Sequence, residues 1–527
     1  MGKRLRESLN HATHRGLTRR QALRLGAAGA AVLAAPRAAR AQARPRSGGH
    51  LIAAQELDPI SLDNHKTSNY SSVQGVEHIV ESLTQYDDKM NVLPALAESW
   101  RTPDPVTYVF NLRRGVTWHD GSEFTADDVV AWWDRISDPA TAAPYKGWFV
   151  AVDKVQATDK HTVRMTLKNP FGPLLASFAA LRGSAIIPRA LAQERKDLGA
   201  RAVGTGPFKL SRFVPYDHLH YVKNDRYWDK ALPHVNELTF KVMVEEDARV
   251  AALRAGQIHY AYLTGEGAAR LKDDRSVTVM RSPKAWLVIH VMNSTRKPFN
   301  DKRVRQAIAM AVDRQEVLQK AVFGEGTLSG PVPTGHTDWW MPLDKLPYKP
   351  DIARAKQLLA EAGHPNGFET TIKASPQYPE FVSASVVLQS QLKRIGITAK
   401  IIQLEWGQFI KETFSQRPAD YDMKVTAWTF YPDPHHYLYN WWHSKSPSNQ
   451  DFKSAELDAT LDRAMASTDR EERKRLYFQA QNILLDEAPQ IIWYTGNNIE
   501  AVRNEVKGYV QSYTGRRLAF KRTWLEA

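Results

Sequence analysis

Side chains suited to recognising a small molecule are concentrated in one segment, residues 428–443 (WTFYPDPHHYLYNWWH). The segment combines many aromatic rings with one carboxylate, Asp433, and three imidazoles, those of His435, His436 and His443. Ligand pockets are typically built in this way, because apolar burial supplies affinity and a few polar groups fix orientation. The two prolines that flank Asp433 predict a shaped loop, not a regular helix or central strand. We therefore predict that this segment forms a wall of a binding site.

Two other interpretations of the same residues stay open. Trp441 and Trp442 could belong to the packed core, since large aromatic side chains often do. The three histidines could chelate a divalent metal, because imidazole suits nickel or zinc. Their spacing matches no recognised metal motif, so solvated or hydrogen-bonded histidines are the expectation, and no metal site or cofactor is predicted.

Catalytic motifs are absent from the sequence. It contains no phosphate-binding loop ending in Gly-Lys-Ser/Thr, no His-Glu-x-x-His and no Gly-x-Ser-x-Gly. It has no cysteine, which excludes disulfides, thiolate metal sites and cysteine nucleophiles. Adjacent acids such as Asp127 and Asp128 point apart on a helix or strand and suit a solvated face. The sequence thus predicts binding without catalysis.

The elements that must position this segment alternate between short apolar runs and amphipathic patterns, which predicts an α/β fold. A chain of 527 residues should contain at least two folding units. Predicted helices begin at Thr125 and Asn300 and cover 351–362, 381–395, 455–466 and 471–486. Predicted strands cover 107–112, 162–167, 397–401 and 491–494.

The first 43 residues have the three parts of an export signal. A basic stretch runs through Arg24, an uncharged stretch covers 25–35, and a small-x-small site ends at Ala43. Residues 18–24 (TRRQALR) resemble a twin-arginine signal, and an ordinary secretory signal or a basic tail is the alternative. A lipoprotein needs a cysteine to acylate, so we expect a free periplasmic protein that is cleaved near Ala43.

The net charge of +14 does not indicate a nucleic-acid partner. Nine of the basic side chains and only one acid lie in residues 1–43, so the rest of the chain is weakly basic. It contains no dense basic block that could follow a phosphate backbone. No uncharged apolar run reaches the roughly eighteen residues of a membrane-spanning helix. Nucleic-acid-binding and integral membrane proteins are therefore disfavoured.

Several short motifs follow one another along most of the chain. They are residues 96–100 (LAESW), 110–121 (FNLRRGVTWHDG), 124–129 (FTADDV), 204–208 (GTGPF), 298–307 (PFNDKRVRQA), 353–363, 392–397 and the Asp433-Pro434 pair. In this order they resemble the family-5 extracellular solute-binding proteins, which include dipeptide, oligopeptide, glutathione and nickel receptors of ABC importers.

The resemblance implies a two-lobed, periplasmic-binding-protein-like α/β clamp with an extra subdomain inserted in the first lobe. On that scheme lobe I comprises residues 44–77, 188–285 and 486–527, the inserted subdomain 78–187, and lobe II 286–485. Residues 286–293 would be a strand crossing the hinge, with 491–494 as its return. The motif around Trp118 would have a structural role in the inserted subdomain. A monomer is usual for the family.

The resemblance also implies three ligand-contacting segments, namely the loop after Asn69, the Glu405-Trp406 pair and the segment beginning at Trp428. The implied ligand-binding residues are Tyr70, Ser72, Trp406, Trp428, Thr429, Tyr431 and Asp433. Peptide receptors of this family typically have an aspartate three residues after the tryptophan, where it pairs with the α-amine of the ligand. Tyr431 occupies that position here, and Asp433 could substitute for the missing aspartate.

The expected function is therefore the periplasmic binding component of an ABC transporter, which delivers a small solute to an inner-membrane permease. A peptide is the leading ligand class, followed by modified peptides, opine-like or sugar-derived solutes and amino-acid conjugates. A buried ammonium group without a carboxylate partner is costly, so the ligand need not carry a free amine. The alternative is an exported hydrolase or a metal (nickel) trafficking protein.

Overall fold

The structure is a computed structural model that describes residues 45–342 and 349–526. The predicted signal peptide lies outside the described residues, and residues 46–527 group as one unit. In the first half of the chain the strands are β1 (His50–Gln55), β2 (Thr84–Tyr86), β3 (Val92–Pro94), β4 (Ala97–Asp104), β5 (Thr107–Leu112), β6 (Val152–Asp159), β7 (Thr162–Leu167), β8 (Phe208–Val214), β9 (His218–Lys223) and β10 (Glu237–Val242). They are followed by β11 (Tyr260–Leu263), β12 (Val277–Met292), β13 (Gly326–Leu328), β14 (Glu369–Ala374), β15 (Thr398–Gln403), β16 (Met423–Trp428), β17 (Gln490–Arg503), β18 (Val506–Lys507) and β19 (Trp524–Leu525).

The α-helices of the described residues complete a mixed α/β architecture. They are α1 (Tyr70–Val76), α2 (Ala126–Ser137), α3 (Leu174–Ala179), α4 (Arg189–Ala192), α5 (Glu246–Arg254), α6 (Gly265–Arg270), α7 (Lys302–Ala311), α8 (Arg314–Val322), α9 (Ile352–Glu361), α10 (Pro379–Lys393), α11 (Trp406–Ile410), α12 (Pro434–Trp442), α13 (Ala455–Ala466) and α14 (Arg470–Glu487). None of these helices combines the length and hydropathy needed to cross a bilayer.

Two long antiparallel strands, β12 and β17, form the middle of the largest sheet. The strand order is β15-β14-β16-β12-β17-β11-β1-β10-β9-β8, with β13 added on β17. The first part of β12 pairs with the end of β17 beside β11, and its last part pairs with the start of β17 beside β16. These two strands therefore run through both halves of the sheet. The strand expected from residue 286 is confirmed, and it begins earlier, at Val277.

Most of the predicted elements are confirmed, because their signals are local. Strands β5 and β7 and helix α13 have the predicted bounds. Thr125 caps α2 in a capping box with Asp128, whose carboxylate accepts the Thr125 N–H at 2.9 Å. Asp301 likewise caps α7. Capping residues and apolar periodicity therefore predicted the helix starts well.

The predicted loop at residues 428–443 is wrong over most of its length, because Pro434–Trp442 form helix α12. Asp433 caps this helix by accepting the N–H of His435 at 2.9 Å. Pro434 occupies the first turn, where a backbone N–H has no helical partner and the fixed φ of proline suits the helix. A proline at this position begins a helix and does not break it.

A separate four-stranded sheet, β4-β5-β7-β6, packs with α2 around its own core. Trp118, from the motif expected to be structural, is buried there, and Gly121 turns the chain with φ of +99°. Phe430 and Tyr513, from distant parts of the chain, join the same core. This packing brings residue 430 next to this four-stranded sheet and so shapes the cavity described below.

Candidate functional site

A cavity of about 520 Å³ lies where α1, the middle of β12, the end of β17 and the segments around residues 429 and 514 meet. It is lined by Glu56, Ser68, Tyr70, Gln74, Tyr145, Arg182, Tyr260, Tyr262, Lys284, Ala285, Trp286, Thr429, Phe430, Asn498, Glu500, Tyr513, Thr514, Gly515 and Arg517. Aromatic rings dominate the wall, and a few charged groups are directed between them. This combination suits a small ligand with an ionised group.

The register between β12 and β17 shifts at the cavity. Pro283 pairs with Asn497 and Leu287 with Thr495, so that residues 284–286 of β12 lie opposite Gly496 alone. A bulge of this kind redirects side chains away from the regular alternation of a strand. Lys284 and Trp286 consequently line the cavity.

Both carboxylates of the cavity already have protein partners. Glu56 accepts two hydrogen bonds from the Arg517 guanidinium, at 2.9 and 3.0 Å. Glu500 accepts from the Asn498 amide and the Tyr509 hydroxyl, each at 2.7 Å. Burial raises the pKa of Glu500. These acids are therefore used within the cavity wall.

Two cations of the cavity have no carboxylate partner among the described residues. Arg182 donates to the Tyr145 hydroxyl at 2.9 Å, and its guanidinium lies 5.6 Å from the Phe430 ring centroid. The Lys284 ammonium contacts the Tyr262 hydroxyl at 3.4 Å and lies 5.6 Å from the Trp286 ring centroid. Aromatic faces hold both cations without neutralising them. The cavity can thus accept a negatively charged group.

Two of the seven predicted ligand-binding residues, Tyr70 and Thr429, line the cavity. Tyr70 also donates to the Thr514 carbonyl at 3.0 Å, which joins α1 to the segment after β18. The buried Ser72 hydroxyl accepts the N–H groups of Ile60 and Ser61, at 3.1 and 3.3 Å. Ser72 therefore shapes the adjacent loop.

Three of the predicted aromatic residues lie outside the cavity lining. Trp428 is 3% exposed and stacks on Trp441, with ring centroids 4.0 Å apart. Trp406 stacks on Phe409 at 5.5 Å. Tyr431 is packed edge-on against Tyr437 at 5.0 Å. This placement favours packing roles for Trp428, Trp406 and Tyr431, and their direct contact with a ligand stays a prediction.

Asp433, the proposed substitute for the amine-binding aspartate, forms a buried ion pair with Arg473 at 2.7 Å. The two side chains are 5% and 8% exposed. The same carboxylate also caps α12, so both of its interactions in the structure are with other groups of the protein. The geometry therefore favours a structural role for Asp433.

Arg182, Lys284, Glu500 and Arg517 were not predicted from the sequence as site residues. Arg182, Glu500 and Arg517 have no motif around them. Arg517 depends on Glu56, which is 461 residues away, and Arg182 depends on the ring of Phe430 from a distant part of the chain. Lys284 had one usable signal, its position two residues before the expected hinge-crossing strand at residue 286. The aromatic segment that the sequence did indicate supplies only Thr429 and Phe430 to the cavity wall.

Solvated or hydrogen-bonded histidines are the expectation, and the solvated alternative is wrong for His435, His436 and His443, which are 4%, 2% and 0% exposed. The hydrogen-bonded alternative holds for His443, whose Nδ1 accepts the Lys445 N–H at 3.1 Å. His435 and His443 stack on the two faces of Tyr439, at 4.7 and 4.1 Å between ring centroids. His436 packs against Trp148 at 5.4 Å. Helical spacing of four residues creates this aromatic column along α12.

Burial of His336, His435 and His436 predicts acid-sensitive stability. Desolvation lowers the pKa of His336 and of His436 to about 4, and that of His435 well below its ordinary value. The unfolded chain therefore binds more protons than the folded one below about pH 6.5, and stability falls as the pH decreases through that range. Each such histidine should lower the free energy of unfolding by about 2 kcal/mol when the pH falls from 7 to 5.

Urea denaturation at both pH values measures this effect. In the variant His436→Gln, the loss between pH 7 and pH 5 should be smaller by about 2 kcal/mol than in the wild type. A free energy of unfolding that is the same at pH 7 and pH 5 would contradict the prediction.

Comparison with known families agrees with this architecture. A family model described as bacterial extracellular solute-binding proteins, family 5 middle, matches residues 91–449. The chain belongs to this family. As a family-5 solute-binding protein it has the predicted two-lobed α/β fold, and it resembles binding proteins and not enzymes.

Relatives of this family-5 protein include the glutathione-binding protein GsiB of Pectobacterium atrosepticum. It is 29% identical over 463 residues, which cover 85% of this chain and 89% of the relative. The periplasmic binding protein DppA from Helicobacter pylori, solved with the peptide STSA, superposes with a TM-score of 0.73 at 28% identity, covering 92% and 99% of the two chains. The binding protein AgaA from A. tumefaciens R10, solved with agropinic acid, has a TM-score of 0.72 at 26% identity, covering 91% and 99%.

Proposed function

We propose that this chain is the periplasmic binding component of an ABC importer and that it captures a peptide-like solute bearing a carboxylate. The observation that carries the proposal is the pair of cavity cations, Arg182 and Lys284, which have no carboxylate partner among the described residues. Both cations are partly buried. A partly buried cation favours an anionic partner, because the interaction takes place partly away from bulk water.

The named ligands of the relatives support this ligand chemistry. GsiB is named for glutathione, and DppA and AgaA were solved with the peptide STSA and with agropinic acid. All three compounds are small polar molecules that carry at least one carboxyl group. A carboxylate contacting Arg182 or Lys284 would complete the charge balance of the cavity, and the aromatic wall would cover the remainder of the ligand.

Binding is coupled to closure in this proposal. We take lobe I as residues 44–77, 188–285 and 486–527, the inserted subdomain as 78–187 and lobe II as 286–485. Tyr70, Arg182 and Thr429 then come from three different parts of the clamp, yet line one cavity. A ligand that contacts all of them favours the closed state, because only that state makes every contact. The closed monomer would then dock on an inner-membrane permease.

Export is part of the same proposal. Residues 1–43 would direct the chain through a twin-arginine route and be removed near Ala43. The whole sequence has no cysteine to acylate, which supports a free periplasmic protein. N-terminal sequencing of the chain recovered from periplasm should begin at Arg44, and retention of the first 43 residues would contradict this.

Matched ligands test the proposed function directly. Thermal melting is measured with short peptides, glutathione and opine-type acids, each beside its carboxyl-amidated form. A ligand that binds the native state raises the melting temperature by mass action, and amidation should abolish most of that shift. Mass spectrometry should recover the ligand intact after incubation. Equal shifts with the acid and the amide, or conversion of the ligand, would overturn the proposal.

A further inference from the structure

A cluster of metal-ligating side chains lies outside the cavity, on one face of strands β1, β10 and β9. His50 pairs with Glu237 across β1 and β10, and Thr239 pairs with His220 across β10 and β9. Glu237 and Thr239 are two residues apart on one strand, so all four side chains point to the same face. The side chains of His50, His220 and Glu237 are 40%, 24% and 47% exposed, so solvent reaches them.

The Thr239 hydroxyl connects the two imidazoles. It lies 2.7 Å from His50 Nε2 and 2.9 Å from His220 Nδ1. A hydroxyl has one hydrogen to donate, so at most one of these ring nitrogens can accept from it. At least one imidazole must therefore donate its own N–H to Thr239. In that imidazole, when neutral, the other nitrogen carries a bare lone pair.

That second nitrogen faces a carboxylate in both histidines. His50 Nδ1 lies 3.8 Å and His220 Nε2 lies 3.6 Å from Glu237 Oε2. A lone pair directed at a carboxylate oxygen is repulsive unless a proton or a metal cation lies between them. The three candidate ligand atoms all lie within 4.8 Å of one another. A tetrahedral zinc ion with bonds of 2.0–2.2 Å holds its ligands about 3.3 Å apart, so small side-chain movements would close the site.

We propose that His50, His220 and Glu237 bind a divalent transition metal ion, with Zn²⁺ as the best fit. Two imidazoles and one carboxylate are a three-ligand set typical of zinc and leave the fourth position open for water or another ligand. Thr239 would hold both non-ligating N–H groups and so orient the rings, which is the usual role of a hydrogen-bond acceptor behind metal-bound histidines. The sequence predicted no metal site because the ligands are spread over residues 50–237.

The metal site is independent of the proposed solute binding. None of its four residues lines the cavity. Loss of metal binding and loss of solute binding can therefore be measured separately, and failure of one proposal leaves the other standing.

Calorimetric titration with ZnCl₂ tests the site, using protein purified without a polyhistidine tag and dialysed against a chelator that is then removed. The wild type should bind one zinc ion. The variants His220→Ala and Glu237→Gln should each weaken binding at least about tenfold, since each removes one of three ligands. His218→Ala is the matched control, because His218 lies on the same strand and face but bonds to Asp217 at 2.9 Å.

Thr239→Val keeps the shape of the side chain and removes the hydroxyl that orients both rings. It should weaken zinc binding about 10- to 100-fold, while the melting temperature of the zinc-free protein reports whether the fold is retained. If Thr239→Val does not fold, the variants His220→Ala and Glu237→Gln still test the metal site. Zinc binding that is unchanged in His220→Ala and Glu237→Gln, or lowered equally in His218→Ala, would overturn the metal site and leave an ordinary histidine–glutamate contact.

Discussion

Replacing Arg182 with Ala is expected to weaken the binding of a carboxylate-bearing solute by about a hundredfold. The change removes a charge-assisted hydrogen bond, worth roughly 1.5–3 kcal/mol, from a partly desolvated cavity. Arg182 is held by Tyr145 and by the rings of Tyr70 and Phe430, so the wild-type guanidinium is already oriented before the ligand arrives. Calorimetry with the ligand identified by thermal melting measures the loss.

Two further variants show whether that loss comes from the charge of Arg182 or from the shape of its guanidinium group. Arg182→Lys keeps the charge but loses the planar fork and much of the ring stacking, so it should bind with intermediate affinity. Arg189→Ala removes an exposed arginine seven residues further along the chain, outside the cavity lining, and should bind as the wild type does. An Arg182→Ala protein that binds the carboxylate ligand as tightly as the wild type would remove the main support for an anionic solute.

Replacing Asp433 with Ala is expected to destabilise the protein by about 3–5 kcal/mol and to leave solute affinity unchanged. The substitution leaves the Arg473 guanidinium, which is 8% exposed, without its carboxylate partner. It also removes the cap of α12, which adds to the cost. Urea denaturation at neutral pH measures the free energy of unfolding.

Asp469→Ala is the matched control for the capping term. Asp469 caps α14 from an exposed position by accepting the Glu472 N–H at 2.7 Å, so its loss should cost only about 1 kcal/mol. Equal destabilisation by the two variants would show that the buried ion pair contributes nothing. An Asp433→Ala protein with normal stability and weakened solute binding would restore Asp433 to the ligand site.

The sequence predicted secondary structure better than it predicted the site, and helix α12 shows where the limit lies. Capping residues and apolar spacing act over a few residues, so helices α2 and α13 could be read from local pattern alone. Two prolines within residues 432–434 predict a loop, although a proline in the first turn begins a helix, as Pro434 does here. Whether a proline breaks or begins a helix depends on its position in the helix, and the residue type alone does not show that position.

Among the predicted site residues, some line the cavity and others are occupied by partners from distant parts of the chain. Tyr70 and Thr429 were predicted through the family resemblance, and they line the cavity. The resemblance also implied Asp433, as a substitute for the amine-binding aspartate, but its partner in the structure is Arg473, 40 residues further along the chain. Local sequence contains no information about which of the distant arginines will reach a given carboxylate.

The family match confirms the interpretation of the chain as a binding protein. The aromatic segment on which that interpretation began forms helix α12 over most of its length, and it contributes Thr429 and Phe430 to the cavity wall. By itself the sequence determined the α/β pattern, the family and the absence of cysteine chemistry, because these depend on composition, periodicity and motif order. Only the tertiary structure decided which charges are available to a ligand. Glu56 and Arg517 neutralise each other across 461 residues, whereas Arg182 and Lys284 have no carboxylate in reach among the described residues. Charge pairing depends on distance in space, and only the fold sets that distance.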